Sequence, residues 1–446
     1  MRRPDAVSVA RALIWFAAAY GLALVGYLVI NAVSSRWLGT AEYGYFVIAV
    51  TTSLVIGQLG LVGAHRGGLR EAAVMGDTDD PERLARLRAD VRVALLLTLP
   101  LAAAISGFVI SLITGDTTGT RVVAGAGFAA LVWLGGVQKL WANLLRGLGA
   151  IRFASLLEGR SGGGLVSLGQ ALALLLVWRL FPDTGLTGAL VAMALGFAGP
   201  VVVAGLMVRR RWAHVPGRTT LWRAARSSVS RNWRFAVNQF AVYAALTVEL
   251  WVAGLVFDAV DASHYSAAQR MSLLLMIPMT AVQVVFAPVA ARMLHQGRTA
   301  DLQAVLRTGA TAAGVVTSFV WLPMLVAPGF VLAVVLGEPF RGAAAPLVVL
   351  TIGGLANVVV GLAGTALTMS HREGVVAAVQ TGSVVARAAL GLGAAILWGP
   401  VGLAASAALV SVITYGLMWW QAWRLLGVRT DMTLRPRLGL FKQTTA

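Results

Sequence analysis

Residues 185–208 read GLTGALVAMALGFAGPVVVAGLMV and are followed at once by Arg209, Arg210 and Arg211. An apolar run of this length can cross a hydrocarbon core of about 30 Å as a helix. The same composition extends along the chain, because 58% of its 446 residues are hydrophobic and only 12% are charged. Globular domains carry about 25% charged residues. The sequence therefore predicts an integral membrane protein.

Twelve apolar blocks of this kind follow one another along the chain. They cover residues 12–33, 44–64, 92–113, 122–144, 161–180, 185–208, 235–257, 265–290, 309–336, 343–369, 375–397 and 400–423. A backbone exposed to lipid must satisfy its own hydrogen bonds, so we expect each block to be helical. A transmembrane β-barrel needs alternating strands of about ten residues, and these blocks do not alternate. We predict an all-α membrane protein with about twelve transmembrane helices.

The basic residues predict the orientation of the helices. Most of the 36 Lys and Arg residues, Lys139 included, are assigned to the N-terminus, to alternate loops and to the C-terminal tail. Such loops stay in the cytoplasm, so both termini are predicted to be cytoplasmic in a plasma (inner) membrane. These loops, with membrane lipids as their neighbours, explain the formal net charge of +18. Nucleic-acid binding is not expected, because no basic groove with interleaved aromatic residues is visible.

The most basic loop, residues 209–234, divides the chain into two lobes of six helices. The predicted lobes are residues 1–208 and residues 235–446, and the second ends in a short basic tail. The loop contains Trp212, Trp222 and Trp233. Basic residues with Trp favour a helix that lies on the anionic inner leaflet, and a plain basic linker is the alternative. Earlier in the chain, the sequence around Asp80 and Pro81 predicts a helix that begins at Pro81 with Asp80 as its cap.

The two halves carry a weak internal repeat. Residues 38–46 (LGTAEYGYF) and residues 257–265 (FDAVDASHY) share a polar connector with an acidic residue and then aromatic residues. A similar offset separates residues 146–149 from residues 370–374. Six helices per repeat give both halves the same topology, so we expect pseudo-twofold symmetry about an axis along the membrane normal. A transport pathway would then lie between the two lobes.

The charged residues Glu249, Arg270 and Arg387 lie inside apolar blocks, where a charge costs a few kcal/mol and is a functional candidate. The predicted substrate-binding residues are these three and nearby polar residues: Glu249, Arg270, Arg387, Asn238, Gln239 and Gln380. The two arginines suit an anionic group such as pyrophosphate, and Glu249 is a candidate cation-coupling or sugar-binding carboxylate. The alternative is structural: Glu249 pairs with Arg270, and Arg387 pairs with a helix end or snorkels.

Other chemistries find no support. The chain has no Cys, and neither Lys139 nor Lys442 follows Gly as a nucleotide-binding loop requires. The five His residues are scattered without metal-ligand spacing, so no metal or cofactor is expected. The outer loops are short, which disfavours a membrane enzyme. We predict a transporter rather than an enzyme.

Residues 36–46 (RWLGTAEYGYF) and 264–270 (HYSAAQR) resemble the patterns that follow helix 1 and open helix 8 in polysaccharide-biosynthesis (O-antigen-type) flippases. These belong to the multidrug/oligosaccharidyl-lipid/polysaccharide (MOP) exporter superfamily. The resemblance implies a flippase that moves undecaprenyl-pyrophosphate-linked oligosaccharide across the plasma membrane by alternating access, with H+ or Na+ as the candidate coupling ion. Arg270 lies in the matching pattern, whereas Asp258 and His264 replace glycines of the family.

The alternative within the superfamily is a cation-coupled drug or metabolite antiporter. Such a protein is expected to carry a coupling carboxylate in its first helices. Helices 1 and 2 contain no Asp or Glu at membrane depth, and this favours the flippase at the level of sequence.

Overall fold

The computed structural model describes residues 6–74, 81–113, 117–158, 163–211 and 221–435. Within these ranges the chain forms sixteen α-helices joined by short 3-10 or π-helical turns and loops, and it contains no strand. The all-α prediction is confirmed.

The helices of the first half include both long apolar helices and short connectors. They are α1 (Ala6–Gly60), α2 (Ala64–Val74), α3 (Pro81–Val93), α4 (Leu99–Ile113), α5 (Thr118–Gly147), α6 (Ile151–Leu157), α7 (Gly164–Leu180) and α8 (Gly185–Arg211). Helix α3 is described from Pro81 onward. The proposed cap Asp80 lies outside the described residues, so the helix start at Pro81 stays a prediction.

The second half continues with eight further helices. They are α9 (Leu221–Val256), α10 (Ala259–Ser272), α11 (Met276–His295), α12 (Thr299–Val326), α13 (Pro328–Leu336), α14 (Ala344–Val360), α15 (Ala363–Met369) and α16 (Glu373–Leu426). In the described ranges, eight helical runs are long and apolar enough to span a bilayer. The described residues of the twelve predicted blocks fall within the helices and the short turns that join them, and the chain is a multi-pass membrane protein.

Two of the long runs, α1 and α16, each contain two consecutive predicted blocks, because the chain turns at a glycine. In α1 the turn is at Gly39, where φ is +59°. The hydroxyl of Tyr43 donates to Asn31 Oδ1 at 2.8 Å, although residues twelve apart on a straight helix lie about 18 Å apart. Helix α1 therefore folds back on itself at Gly39, and both halves pack side by side.

Helix α16 folds back in the same way at Gly399, where φ is +64°. Arg387 Nη2 donates to Ser411 Oγ at 2.6 Å across this turn. Along a straight helix these two residues would be about 36 Å apart. The turn brings both halves of α16 to the same buried charge.

The chain separates into two compact units. The N-terminal unit is Trp15–Ala244, and the C-terminal unit consists of the described residues after Ala244 with the start of α1. The sequence places the boundary in a linker at residues 209–234, but the boundary lies inside α9 instead. Residues 221–234 belong to the continuous helix α9, and Arg231 and Asn232 bind Asp90 of α3 at 2.5 and 3.1 Å. These contacts hold the first part of α9 on the N-terminal unit.

Candidate functional site

Glu249 is the buried acid around which the candidate site is built. It lies on α9 within the apolar run Phe235–Val256, and its side chain is only 4% exposed. One carboxylate oxygen accepts a hydrogen bond from Arg387 Nη1, and the two residues form an ion pair. The other oxygen accepts from Gln269 Nε2 of α10 at 3.4 Å. Helices α9, α10 and α16 thus meet at one carboxylate.

Arg387 completes the pair from the first half of α16. Its second terminal nitrogen donates to Ser411 Oγ on the returning half of the same helix. Its side chain is 15% exposed. The guanidinium is therefore held from two sides, and its charge is neutralised inside the C-terminal unit. The structural alternative drawn from the sequence paired Glu249 with Arg270. That pairing was wrong, because the partner of Glu249 is Arg387.

Tyr265 Oη of α10 is buried without a hydrogen-bond partner among the described residues. It lies within electrostatic range of both Glu249 and Arg387, and the hydroxyl of the next residue, Ser266, is also buried without a partner in the described part of the chain. Buried polar atoms nearly always have a partner. The site therefore has unused hydrogen-bonding capacity next to its ion pair.

The arrangement links two events at Glu249 and Arg387. If a proton or another cation binds the carboxylate, the guanidinium loses its counter-charge in a low-dielectric environment. A buried charge without a partner is strongly unfavourable, so Arg387 must then move or find a new acceptor. The pair can therefore convert cation binding into a rearrangement of α9 relative to α16.

The remaining predicted site residues are distributed over both units. Gln380 lies on α16 two turns before Arg387, on the same helix face. Arg270 occupies the last turn of α10, directly after Gln269. Gln239 is buried in the N-terminal unit, where its amide lies 3.4 Å from His65 Nε2. Asn238 is on α9, and its side chain is outside the described part of the chain.

A second buried ionic cluster, in the N-terminal unit, is absent from the sequence predictions. Lys139 Nζ of α5 lies 2.8 Å from Glu158 Oε1, and Arg146 Nη1 lies 2.7 Å from Glu158 Oε2. Asn143 Nδ2 donates to the same carboxylate at 3.4 Å. Lys139 falls inside the predicted block 122–144, and its position in an apolar run could have identified it as a buried charge. Counting it with the basic loops was wrong, because α5 continues through it to Gly147.

The electrostatics of this cluster favour a fixed pattern of charge. Burial alone would raise the pKa of Glu158, but the positive charges of Lys139 and Arg146 outweigh burial and lower that pKa to about 2. Burial, with the nearby charges of Lys139 and Arg66, lowers the pKa of His65 to about 3. Glu158 is thus ionised and His65 is neutral near pH 7. The cluster of Lys139, Arg146 and Glu158 therefore keeps the same charges near pH 7 and does not titrate there.

Similarity to known proteins is found in structure and not in sequence. No protein family defined by sequence matches this chain, and no curated protein matches it. Several solved structures match it over most of its length. A variant of the Vibrio cholerae MATE transporter VcmN aligns with 95% of this chain and 98% of its own, with a TM-score of 0.60 and 14% identity. The chain has the MATE-transporter fold.

Two other structures of this fold align over similar lengths. The MATE multidrug transporter DinF-BH has a TM-score of 0.58 and 15% identity, and the alignment covers 92% of this chain and 95% of DinF-BH. A Pyrococcus furiosus transporter of the MOP superfamily has a TM-score of 0.54 and 13% identity over 93% and 95% of the two chains. The reverse polarity of that transporter's binding pocket is described as suggesting a different function.

These comparisons support one part of the resemblance seen in the sequence. The MATE fold belongs to the MOP superfamily, so the superfamily-level fold is supported. The narrower resemblance to polysaccharide flippases is not supported by the structures described above. The twelve-helix, two-lobe architecture predicted from the apolar blocks agrees with the MATE structures.

Proposed function

We propose that this chain is an ion-coupled secondary transporter that exports amphipathic organic solutes, with Glu249 as the coupling carboxylate. The buried Glu249–Arg387 ion pair carries the proposal. The MATE fold supports it, because DinF-BH, with the same fold, is a multidrug transporter. This reverses the preference drawn from the sequence, where the drug or metabolite antiporter was the alternative.

The first helices supply a second argument for Glu249. Within the described part of α1, Glu42 is the single acidic residue. Its carboxylate accepts a hydrogen bond from the backbone N–H of Leu186 at 2.7 Å, at the start of α8. The Glu42 carboxylate is thus engaged in a structural contact with the start of α8. Glu249 lies within the apolar run Phe235–Val256 and is our candidate for the coupling carboxylate.

The proposed cycle starts with Glu249 paired to Arg387. Binding of H+ or Na+ at the carboxylate releases Arg387, and the altered contacts among α9, α10 and α16 favour the other conformation of the transporter. Release of the cation restores the pair and resets the cycle. A cation shifts the equilibrium by as much as its affinities for the two conformations differ. The ion pair is the element that makes these affinities differ.

The charges also bear on the class of substrate. In the paired state Arg387 is engaged by Glu249, and Lys139 shares Glu158 with Arg146. In that state neither Arg387 nor Lys139 is available to bind a pyrophosphate, and this favours an uncharged or cationic solute. Translocation of a lipid-linked oligosaccharide is the second candidate. The motif at residues 264–270, which ends in Arg270, is the observation that favours it.

A flux assay in proteoliposomes tests the proposal. The purified chain is reconstituted, an H+ or Na+ gradient is imposed, and the movement of ethidium is followed by fluorescence. We expect gradient-driven flux in the wild type and its loss in Glu249→Gln. Glu338→Gln is the matched control, because Glu338 is an exposed acid paired with Arg341, and it should transport normally.

A parallel assay addresses the second candidate. The same vesicles receive a fluorescent polyprenyl-pyrophosphate oligosaccharide, and its appearance in the opposite leaflet is measured. Translocation of this lipid together with an absence of gradient-driven ethidium flux would reject export of amphipathic solutes and favour the flippase.

A further inference from the structure

The inner end of α16 carries a cluster of tryptophans next to an arginine. Trp419 and Trp423 are stacked with their ring centroids 6.2 Å apart, and the guanidinium of Arg424 lies 5.2 Å from the centroid of Trp420. Trp420 and Trp423 are exposed, the latter by 52%. Trp side chains are enriched where a membrane meets water. The positive-inside rule places this end of α16 at the inner leaflet.

A segment outside the helices, residues 427–435, follows α16 and is called here the C-terminal strap. It leaves the helix at Gly427, where φ is +65°. Val428 and Thr430 are fully buried, whereas Arg429 between them is exposed. Alternating burial gives the strap one face toward the C-terminal unit and one face away from it.

Hydrogen bonds to two backbone carbonyls of α14 fix the inward face of the strap. Thr430 Oγ1 donates to the carbonyl of Val360 at 2.8 Å, and Met432 N donates to the carbonyl of Val359 at 3.0 Å. These carbonyls belong to the last turn of α14, which ends before Gly361 and cannot supply their donors. The strap therefore supplies donors to the carbonyl groups at the end of α14, and these bonds hold it on the C-terminal unit.

Asp431 connects the strap to α12 and α16, and its carboxylate is paired with arginines. It accepts hydrogen bonds from Arg307 Nη2 at 3.0 Å, from Trp419 Nε1 at 3.1 Å and from Arg429 Nε at 3.1 Å. Arg424 and Arg435 make no ion pair among the residues that the structure describes. Next to Arg435, Leu434 is fully exposed. The end of α16 and the outward face of the strap thus each present an arginine without an ion pair among the described residues, together with exposed apolar side chains.

We propose that this basic surface, made of the end of α16 (Trp420, Trp423 and Arg424) and the outward face of the strap (Leu434 and Arg435), binds anionic phospholipids of the inner leaflet. Each arginine contacts a headgroup phosphate, for which guanidinium groups are well shaped. The exposed Trp and Leu side chains lie against the acyl chains. Juxtamembrane basic residues attract anionic lipid, and the rigid attachment of the strap gives this surface a defined geometry. The proposal does not depend on what the protein transports.

The test uses the full chain in nanodiscs of phosphatidylcholine with increasing phosphatidylglycerol. The thermal unfolding midpoint gives the apparent affinity for the anionic lipid, and native mass spectrometry gives the lipid retained. Phosphatidylglycerol should raise the midpoint of the wild type, and the double variant Arg424→Gln/Arg435→Gln should need about thirtyfold more of it. Arg298→Gln is the control, because Arg298 is an exposed arginine paired with Asp301 on another inner connector.

The outcomes separate the possible sources of the effect. Equal dependence on phosphatidylglycerol in the double variant and the wild type overturns the proposal, and so does an equal loss in Arg298→Gln. Inorganic phosphate added to phosphatidylcholine nanodiscs should leave the midpoint unchanged, and a matching rise would identify a free-phosphate site instead. If the double variant folds poorly, the Arg424→Lys/Arg435→Lys variant serves in its place. It should retain the charge effect while binding the lipid more weakly than wild type.

Discussion

Replacing Arg387 by Met should destabilise the C-terminal unit severely. The change leaves the carboxylate of Glu249, whose side chain is 4% exposed, without its counter-charge. Removing one partner of a buried ion pair typically costs about 3–5 kcal/mol. The double variant Glu249→Leu/Arg387→Met removes both charges and keeps apolar volume, so its stability should return to within about 1–2 kcal/mol of the wild type.

The assay is a double-mutant cycle measured by Trp fluorescence during unfolding in detergent. The predicted coupling energy is large, because each single variant leaves a buried charge unpaired and the double variant leaves none. The exposed pair Glu338 and Arg341 is the reference, and its coupling should be about 1 kcal/mol or less. The opposite result is that the two single variants lose amounts of unfolding free energy that add up to the loss in the double variant. That result would refute a buried ion pair between Glu249 and Arg387.

Two further predictions concern backbone geometry and pH. Gly361→Ala should lower stability by about 1–3 kcal/mol or more, because φ is +78° and a Cβ would lie 2.2 Å from the carbonyl oxygen of Thr430. Gly374→Ala, with open space around its Cβ, should be neutral or slightly stabilising in the same unfolding assay, and equal losses in both variants would contradict this account. The pKa of His65 is lowered from 6.5 to about 3, and that of Glu158 from 4.5 to about 2. Because the unfolded chain then binds more protons, stability should fall as the pH drops from 6.5, first through His65 and below 4.5 also through Glu158. His65→Gln should flatten the decline of the unfolding midpoint between pH 6.5 and 4.5, and an unchanged slope would rule out the buried neutral histidine.

Much of the architecture was predictable from the apolar blocks, because crossing a membrane requires helices of a minimum length. The boundary between the two units was not predictable in this way. Residues 221–234 are polar enough to resemble a linker, but nothing in them breaks a helix, and Asp90 binds Arg231 and Asn232 of that segment. A contact between distant parts of the chain therefore decides to which unit the segment belongs.

The sequence identified the charged residues of the candidate site but not their pairing. The cost of burying Glu249 and Arg387 singles out both residues. Their contact joins positions 138 residues apart, and Ser411 reaches Arg387 because α16 turns at Gly399. The strap was likewise visible only as a basic tail, since its inward face is defined by carbonyl groups at the end of α14.

Ethidium flux in the double variant Glu249→Leu/Arg387→Met tests the central claim most directly. This variant should fold stably, so a loss of activity cannot be attributed to unfolding. If the ion pair couples cation binding to transport, an imposed H+ or Na+ gradient will drive no ethidium movement in vesicles containing it, whereas wild-type vesicles will respond. Gradient-driven flux at the wild-type rate in the double variant would mean that the pair is structural and that coupling takes place elsewhere.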